Sequence, residues 1–418
     1  MKKVKLGELA DVIVSGVDKK TKDGETPVKL CNFVDVYYNW AVTSEMYDSF
    51  MDASARDAEI DKFSLSKGQV AITKDSETRF DIGIPTYIAD DFEGVLLGYH
   101  CALITPNQEL LNGKYLNALL HSDYAKEYFA NNATGSGQRY TISEDTIKTF
   151  PVPLIPIQEQ EKIGNYLSDI DRKISCNKKQ NDLLEKMAKQ LYDYWFVQFD
   201  FPDENGRPYK SSGGAMVYNE QLKREIPEGW VVDSLYKIAT FVNGLACQKF
   251  RPKEGEGSLP VIKIREMHDG ITPDTENVSC NIPDKYKIYN GDILFSWSAS
   301  LEVMMWANGN GGLNQHIFKV TEKEGFSKHF VYFKLLDYVN IFRIMAEARK
   351  TTMGHITTDH LSQSKVELPH DLSIINKFED TVAPIFEKII QNTIEINSFK
   401  KQVSTLLPLL MTGQATLK

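Results

Sequence analysis

The chain is written twice, and that repeat limits its possible folds more than any other feature. Around residues 157–196, side chains recur at alternating steps of four and three: Ile163, Leu167, Ile170, Ile174, Asn177, Asn181, Leu184, Ala188, Leu191, Trp195. The same steps return 215 positions later without a gap, as Phe378, Val382, Ile385, Ile389, Asn392, Ile396, Phe399, Val403, Leu406 and Leu410. A heptad seam of this length, with Lys173, Lys178, Glu185 and Lys186 lying off it, predicts a long helix that packs against another. Each helix opens just after a proline, Pro156 or Pro369, a natural boundary.

The match continues upstream, more loosely. Leu6–Gly16 parallels Leu235–Gly244, Pro27 and Val28 parallel Pro260 and Val261, and Leu65–Ile72 parallels Ile288–Phe295. His100 aligns with His316, and Ile142–Asp145 with Ile356–Asp359. The expected order is a domain over 1–155, a helix over 156–197, a linker over 198–232, a second domain over 233–369, a second helix over 370–412 and a tail over 413–418. The fold class expected is α+β: two mixed α/β domains joined by two long antiparallel coiled-coil helices, an internal repeat with pseudo-two-fold symmetry. Full overlap of the seams sets Asn181 opposite Asn392, with Asn177 a further polar break, and a buried Asn pair fixes register. Polar breaks tolerated near solvent are the plainer reading. Each seam spans roughly 50 Å at 1.5 Å per residue.

Composition bounds the function. No run reaches the ~18 apolar residues that span a bilayer, and no signal-peptide core follows Lys2, Lys3 and Lys5, so a cytoplasmic protein without membrane association is expected. The five cysteines, Cys31, Cys101, Cys176, Cys247 and Cys280, are scattered and show neither metal-ligand nor disulfide spacing. A net charge of −9 speaks against a simple nucleic-acid binder. Acidic residues crowd the first part of the chain, however, and affinity for phosphate depends on locally placed Lys and Arg.

Across its whole length the sequence resembles the specificity subunits of Type I restriction-modification systems. The residues that carry the likeness are Ile155-Pro-Ile-Gln-Glu-Gln-Glu-Lys-Ile163, Leu191-Tyr-Asp-Tyr-Trp-Phe196, Ile226-Pro-Glu-Gly-Trp230, Gly291-Asp-Ile-Leu294, Gly312-Leu-Asn-Gln-His316 and Leu406-Leu-Pro-Leu-Leu-Met-Thr-Gly413. The resemblance implies two target-recognition domains, each reading half of a split, asymmetric site on double-stranded DNA. It implies partners as well: modification (M) subunits, two of them, that carry adenine-N6 methyltransferase activity and bind along the helices, and restriction (R) subunits that translocate and cleave. The chain itself would be non-catalytic and hold no cofactor, since S-adenosylmethionine, ATP and Mg belong to the partners. The second helix departs from the family opening: Pro369-His-Asp-Leu-Ser-Ile374 stands where Pro-x-x-Glu-Gln is usual, which would alter a partner contact.

Base-reading groups should sit on loops at strand ends, where Arg, Lys, Asn and Gln reach the major groove. The leading segment of the first domain is Thr134–Thr141, with Gln138, Arg139 and Tyr140; its counterpart carries Arg349, Lys350 and His355. Lys19, Lys20 and Lys22, and likewise Lys249 and Arg251, follow the matched glycines Gly16 and Gly244 and suit phosphates. Lys74 and Arg79 follow a matched strand, where the second copy has Trp297, and Lys263 with Arg265 are weaker candidates. For all of these, solvated turns and charge runs are the plain alternative. His100 and His316 read as satisfied core histidines without a second ligand. Ser136 and Ser143 lack a nucleophile elbow, and no phosphate loop, dinucleotide fingerprint or Asn/Asp-Pro-Pro-aromatic tetrapeptide occurs. Two rival functions remain: a protein-interaction scaffold that does not bind DNA directly, and a self-contained modification enzyme with an atypical site.

Overall fold

The apolar runs matched between the two halves become central strands. Val70–Thr73 is buried along its length between Cys101–Pro106 and Pro85–Ile88. Ile293–Ser296 is buried between Ile317–Glu322 and Glu302–Met305. A strand with neighbours on both edges and both faces covered has no polar side to display, so its sequence does not alternate. The turn into each strand requires a left-handed residue and has glycine there, Gly68 at φ 95° and Gly291 at φ 88°.

The computed structural model describes residues 2–135, 137–298, 300–348 and 358–417. Its contacts divide the chain into two units, Met1–Ile174 with Phe399–Lys418, and Ser175–Ser398. In the first unit Ala10–Val14, Cys101–Pro106 and Val70–Thr73 run antiparallel in that order; in the second, Ala239–Asn243, Ile317–Glu322 and Ile293–Ser296 do the same. A parallel pair accompanies each: Thr26–Cys31 with Val95–Leu97, and Ser258–Ile262 with Gly311–Leu313. Closing pairs join the domain's two ends, Lys3–Lys5 to Pro151–Pro153 and Val231–Ser234 to Lys365–Leu368. The repeat read from the sequence is thus a repeat of sheet topology.

The long helices run Ile157–Tyr192, with a π-turn over Asp193–Val197, and Ser373–Met411. The second starts inside its expected span because Asp371 accepts from the Ser373 backbone N–H at 2.9 Å and from its hydroxyl at 2.6 Å, an N-terminal turn that precedes the helix. In the second unit Asn392 donates to Asn181 at 2.9 Å and to Gln180 at 2.8 Å, and Asn177 donates to Glu395 at 2.7 Å. Numbers rise on one helix as they fall on the other, so the pair is antiparallel. The same offset of 215 positions takes Asn177 to Asn392 and Gln180 to Glu395: two of these contacts are one contact seen twice, which is the pseudo-two-fold expected. In the first unit Ile163 and Leu167 share a core with Leu407 and Leu410.

Two features differ from the sequence reading. Gln160, within the helix-opening motif, is fully buried; it accepts from the Asn112 N–H at 2.9 Å and donates to the carbonyls of Leu110 at 3.0 Å and Ile155 at 2.8 Å. Its counterpart Ile375 is equally buried in an apolar core. At this position the atypical opening of the second helix therefore changes how the helix docks on its own domain. Residues 198–232, read as a linker from their Gly, Pro and Ser, carry a hairpin, Met216–Asn219 with Arg224–Pro227. Phe201 stacks on Tyr209 at 4.7 Å and on Trp230 at 5.5 Å, and Phe199 and Phe201 join the core of the second unit.

Candidate nucleic-acid interface

In the first unit the central strand runs on through Lys74 into a short strand, Asp75–Ser76, which pairs with Tyr140–Thr141 and through it with Thr134–Gly135. That three-stranded ribbon gathers Lys74, Arg79, Gln138, Arg139 and Tyr140 at one place. Its tight turn depends on Gly135, at φ 150°, where an added Cβ would lie 2.1 Å from the Arg139 carbonyl oxygen. His100 arrives in the turn just before the strand Cys101–Pro106, its carbonyl accepting from the Lys74 N–H at 2.9 Å.

Asp75 is the hub. Its Oδ2 lies 2.7 Å from His100 Nδ1, 3.0 Å from Lys74 Nζ and 3.3 Å from Arg139 Nη2. Burial pushes its carboxyl up, but hydrogen bonds from His100, Lys74 and Thr141 outweigh that and hold it below the usual range. Arg139 Nη2 also lies 2.8 Å from His100 Nδ1. Tyr37, Tyr38, Asp81 and Gln138 line the same open groove of about 540 Å³. Arg79 stands over the Tyr140 ring at 5.3 Å, and Lys19 over the Tyr99 ring at 5.9 Å, with Tyr99 packed on His100 at 3.8 Å between centroids. Cations on an aromatic, groove-lined surface can engage phosphates and base edges.

Other expected site residues lie apart from this hub or are engaged locally. Lys20 is exposed, and Lys22 pairs with Asp18 at 3.1 Å. In the second unit Lys249 and Arg251 are exposed, whereas Lys263 pairs with Glu276 at 2.6 Å and Arg265 with the buried Glu266 at 2.7 Å. Arg349, Lys350, His355 and Ser136 lie outside the described residues. The reading of His100 and His316 as core histidines is corrected: both sit at strand starts, His100 in the polar hub and His316 exposed. Asp75 and Tyr99 went unnoticed; only the proximity of an acid to Lys74 hinted at a charged hub.

The second unit fills the same place differently. Trp297 occupies the position of Lys74, its ring 5.7 Å from His316, and its indole N–H donates to Asn243 Oδ1 at 3.0 Å. Gln315 Nε2 lies 3.2 Å from His316 Nε2. One scaffold thus presents a charged face in the first unit and an aromatic, amide-rich face in the second.

Comparison with known proteins gives a family and relatives. The model of the Type I restriction modification DNA specificity domain matches residues 1–186 and 227–403, once per repeat. The Type I restriction enzyme MjaIX specificity subunit of Methanocaldococcus jannaschii is 28% identical over 311 residues, 72% of this chain and 68% of that protein. The HindI specificity subunit of Haemophilus influenzae is 24% identical over 408 residues, 84% of this chain and 88% of that protein. Among solved structures, the Type I restriction-modification S subunit of M. genitalium superimposes with a TM-score of 0.62 at 15% identity, covering 98% of this chain and 95% of that one; at that identity the likeness speaks for the fold.

Proposed function

Since this chain belongs to the Type I restriction modification DNA specificity family, and so serves as a DNA sequence-specificity subunit, we propose that its two units read the two unequal halves of a bipartite duplex site. The observation that carries this is the repeat itself: one sheet topology used twice, with Lys74, His100 and Arg139 at the reading end of one copy and Trp297 and His316 at the matched place in the other. Unlike faces on like scaffolds suit unlike half-sites.

The chain is non-catalytic, and the chemistry is that of its partners: M subunits, two per complex, that methylate adenine N6 with S-adenosylmethionine, and R subunits that cleave with ATP and Mg. The protein acts in the cytoplasm; among the described residues no helix is long and apolar enough to cross a membrane. The test is the modified motif in cells that hold this chain and its M subunit. An interrupted, asymmetric motif with N6-methyladenine on both strands is expected. A continuous palindrome, or no modification that depends on the chain, would overturn the reading.

A further inference from the structure

We infer that Arg139 is the guanine-reading residue of the first half-site, parked on the Asp75–His100 pair until DNA takes it. The inference rests on the DNA-specificity reading above. Its starting point is a contact that cannot be complete. His100 Nδ1 lies 2.7 Å from Asp75 Oδ2 and 2.8 Å from Arg139 Nη2. One ring nitrogen either carries a proton to donate to the carboxylate or holds a lone pair to accept from the guanidinium, never both. Donation to the buried carboxylate wins, because the alternative sets a lone pair against a negative charge. Arg139 is then left facing an N–H and keeps only its 3.3 Å approach to Asp75.

Arg139 is also the group that can leave. Its side chain is 59% exposed, against 21% for His100 and 10% for Asp75. On its departure Asp75 retains Lys74, His100 and Thr141, so no buried charge is stranded. The residue after Arg139, Tyr140, is paired on both sides, with Gly135 and with Ser76, so the side chain moves from a backbone next to the ribbon.

The surroundings select a base over a phosphate. Asp75, Glu77 and Asp81 line the groove with Arg139 and offset the charge of Lys74, Arg79 and Arg139 gathered there, so a phosphate gains little net attraction. A neutral edge with two acceptors side by side matches the guanidinium fork and needs no net positive charge, and guanine N7 and O6 in the major groove supply it. Gln138 beside Arg139 is exposed and adds a second hydrogen-bonding group at the edge.

The experiment co-expresses the full chain with its M subunit and maps modified adenines, for the native protein and for Arg139→Gln, Arg139→Ala and Arg139→Lys. The native motif should hold a G·C pair in one half that Arg139→Gln and Arg139→Ala relax, losing roughly 5- to 150-fold of discrimination at that pair. The other half should be unchanged, and Arg139→Lys should keep a weakened preference for guanine. An unchanged motif in both Arg139→Gln and Arg139→Ala, or equal blurring of both halves, overturns the assignment while leaving the bipartite reading intact. No chain-dependent motif in the native protein overturns both.

Discussion

At one matched place the two repeats solve the same packing problem with opposite chemistry. In the first unit Leu119 and Val152 are both fully buried in an apolar core. The same 215-residue offset puts Lys334 and Glu367 there in the second unit, 3% and 6% exposed and joined as an ion pair. Arg224 of the hairpin also reaches Glu367, at 2.8 Å, and the Lys334 ammonium lies over the rings of Tyr192, Phe196 and Phe330 at 5.4 to 5.9 Å. The comparison teaches that the fold itself does not need the charges. They anchor the hairpin of 198–232 to the second unit, and a buried ion pair need not add stability over an apolar pair of similar size.

The largest effect expected follows from breaking that pair. Glu367→Val leaves the Lys334 ammonium buried without its carboxylate and should lower stability by about 3–5 kcal/mol, read by denaturant unfolding. Combining Glu367→Val with Lys334→Leu restores the chemistry of the first unit and should recover most of the loss, because Arg224, 39% exposed at its side chain, can return to water. A double variant as unstable as the single one would mean that the second unit requires the charges.

A second comparison lies within the helix pair. Asn392 is 1% exposed and holds both Gln180 and Asn181, while its repeat mate Asn177 meets Glu395 near solvent. Asn392→Ala removes two hydrogen bonds at a buried position, while Asn181 keeps Thr393 at 3.1 Å, and should cost about 1–2 kcal/mol, at about 1 kcal/mol for each neutral bond. Asn177→Ala should cost under about 1 kcal/mol, as for other exposed polar pairs. Equal losses in thermal unfolding would show that the pseudo-symmetric contacts are energetically alike despite their different burial.

Much of the architecture was legible because its signals are local and periodic. The seams, the proline openings, the Gly68 and Gly291 turns and the buried runs after them all lie within a few residues, and the family comparison and the sheet order agree with the α+β repeat. The site was less legible, since its hub joins residues far apart in sequence. Asp75 meets Thr141 only because two-residue strands pair across that gap, and His100 looked apolar from its neighbours although it lies beside Asp75. The 198–232 segment misled for a different reason. Gly, Ser and Pro dominated its reading, while Phe199, Phe201 and Tyr209, the residues that fold it, are sparse and without period.

The smallest effect separates the two units by pH. In the first, His121 stacks on Trp40 at 4.1 Å and burial, aided by Lys126, lowers its pKa to about 4. A histidine depressed in the folded state contributes its full stability above the unfolded value near ~6.5 and loses it as the pH falls toward about 4. At pH 6 that amounts to about 1 kcal/mol. In the second unit Glu367 and Glu379 resist burial with help from Lys334 and His329, which hold both carboxyls below the usual range. Their contribution is complete above roughly 4.3 and fades only as the pH falls through those lowered values. Hydrogen-exchange protection factors, which correct the rates for their intrinsic dependence on pH, should therefore fall around 113–132 in the first unit between pH 7.5 and pH 6. His121→Phe should abolish that fall and leave protection in the second unit as it was; a fall that persists in His121→Phe would assign the acid response to another group.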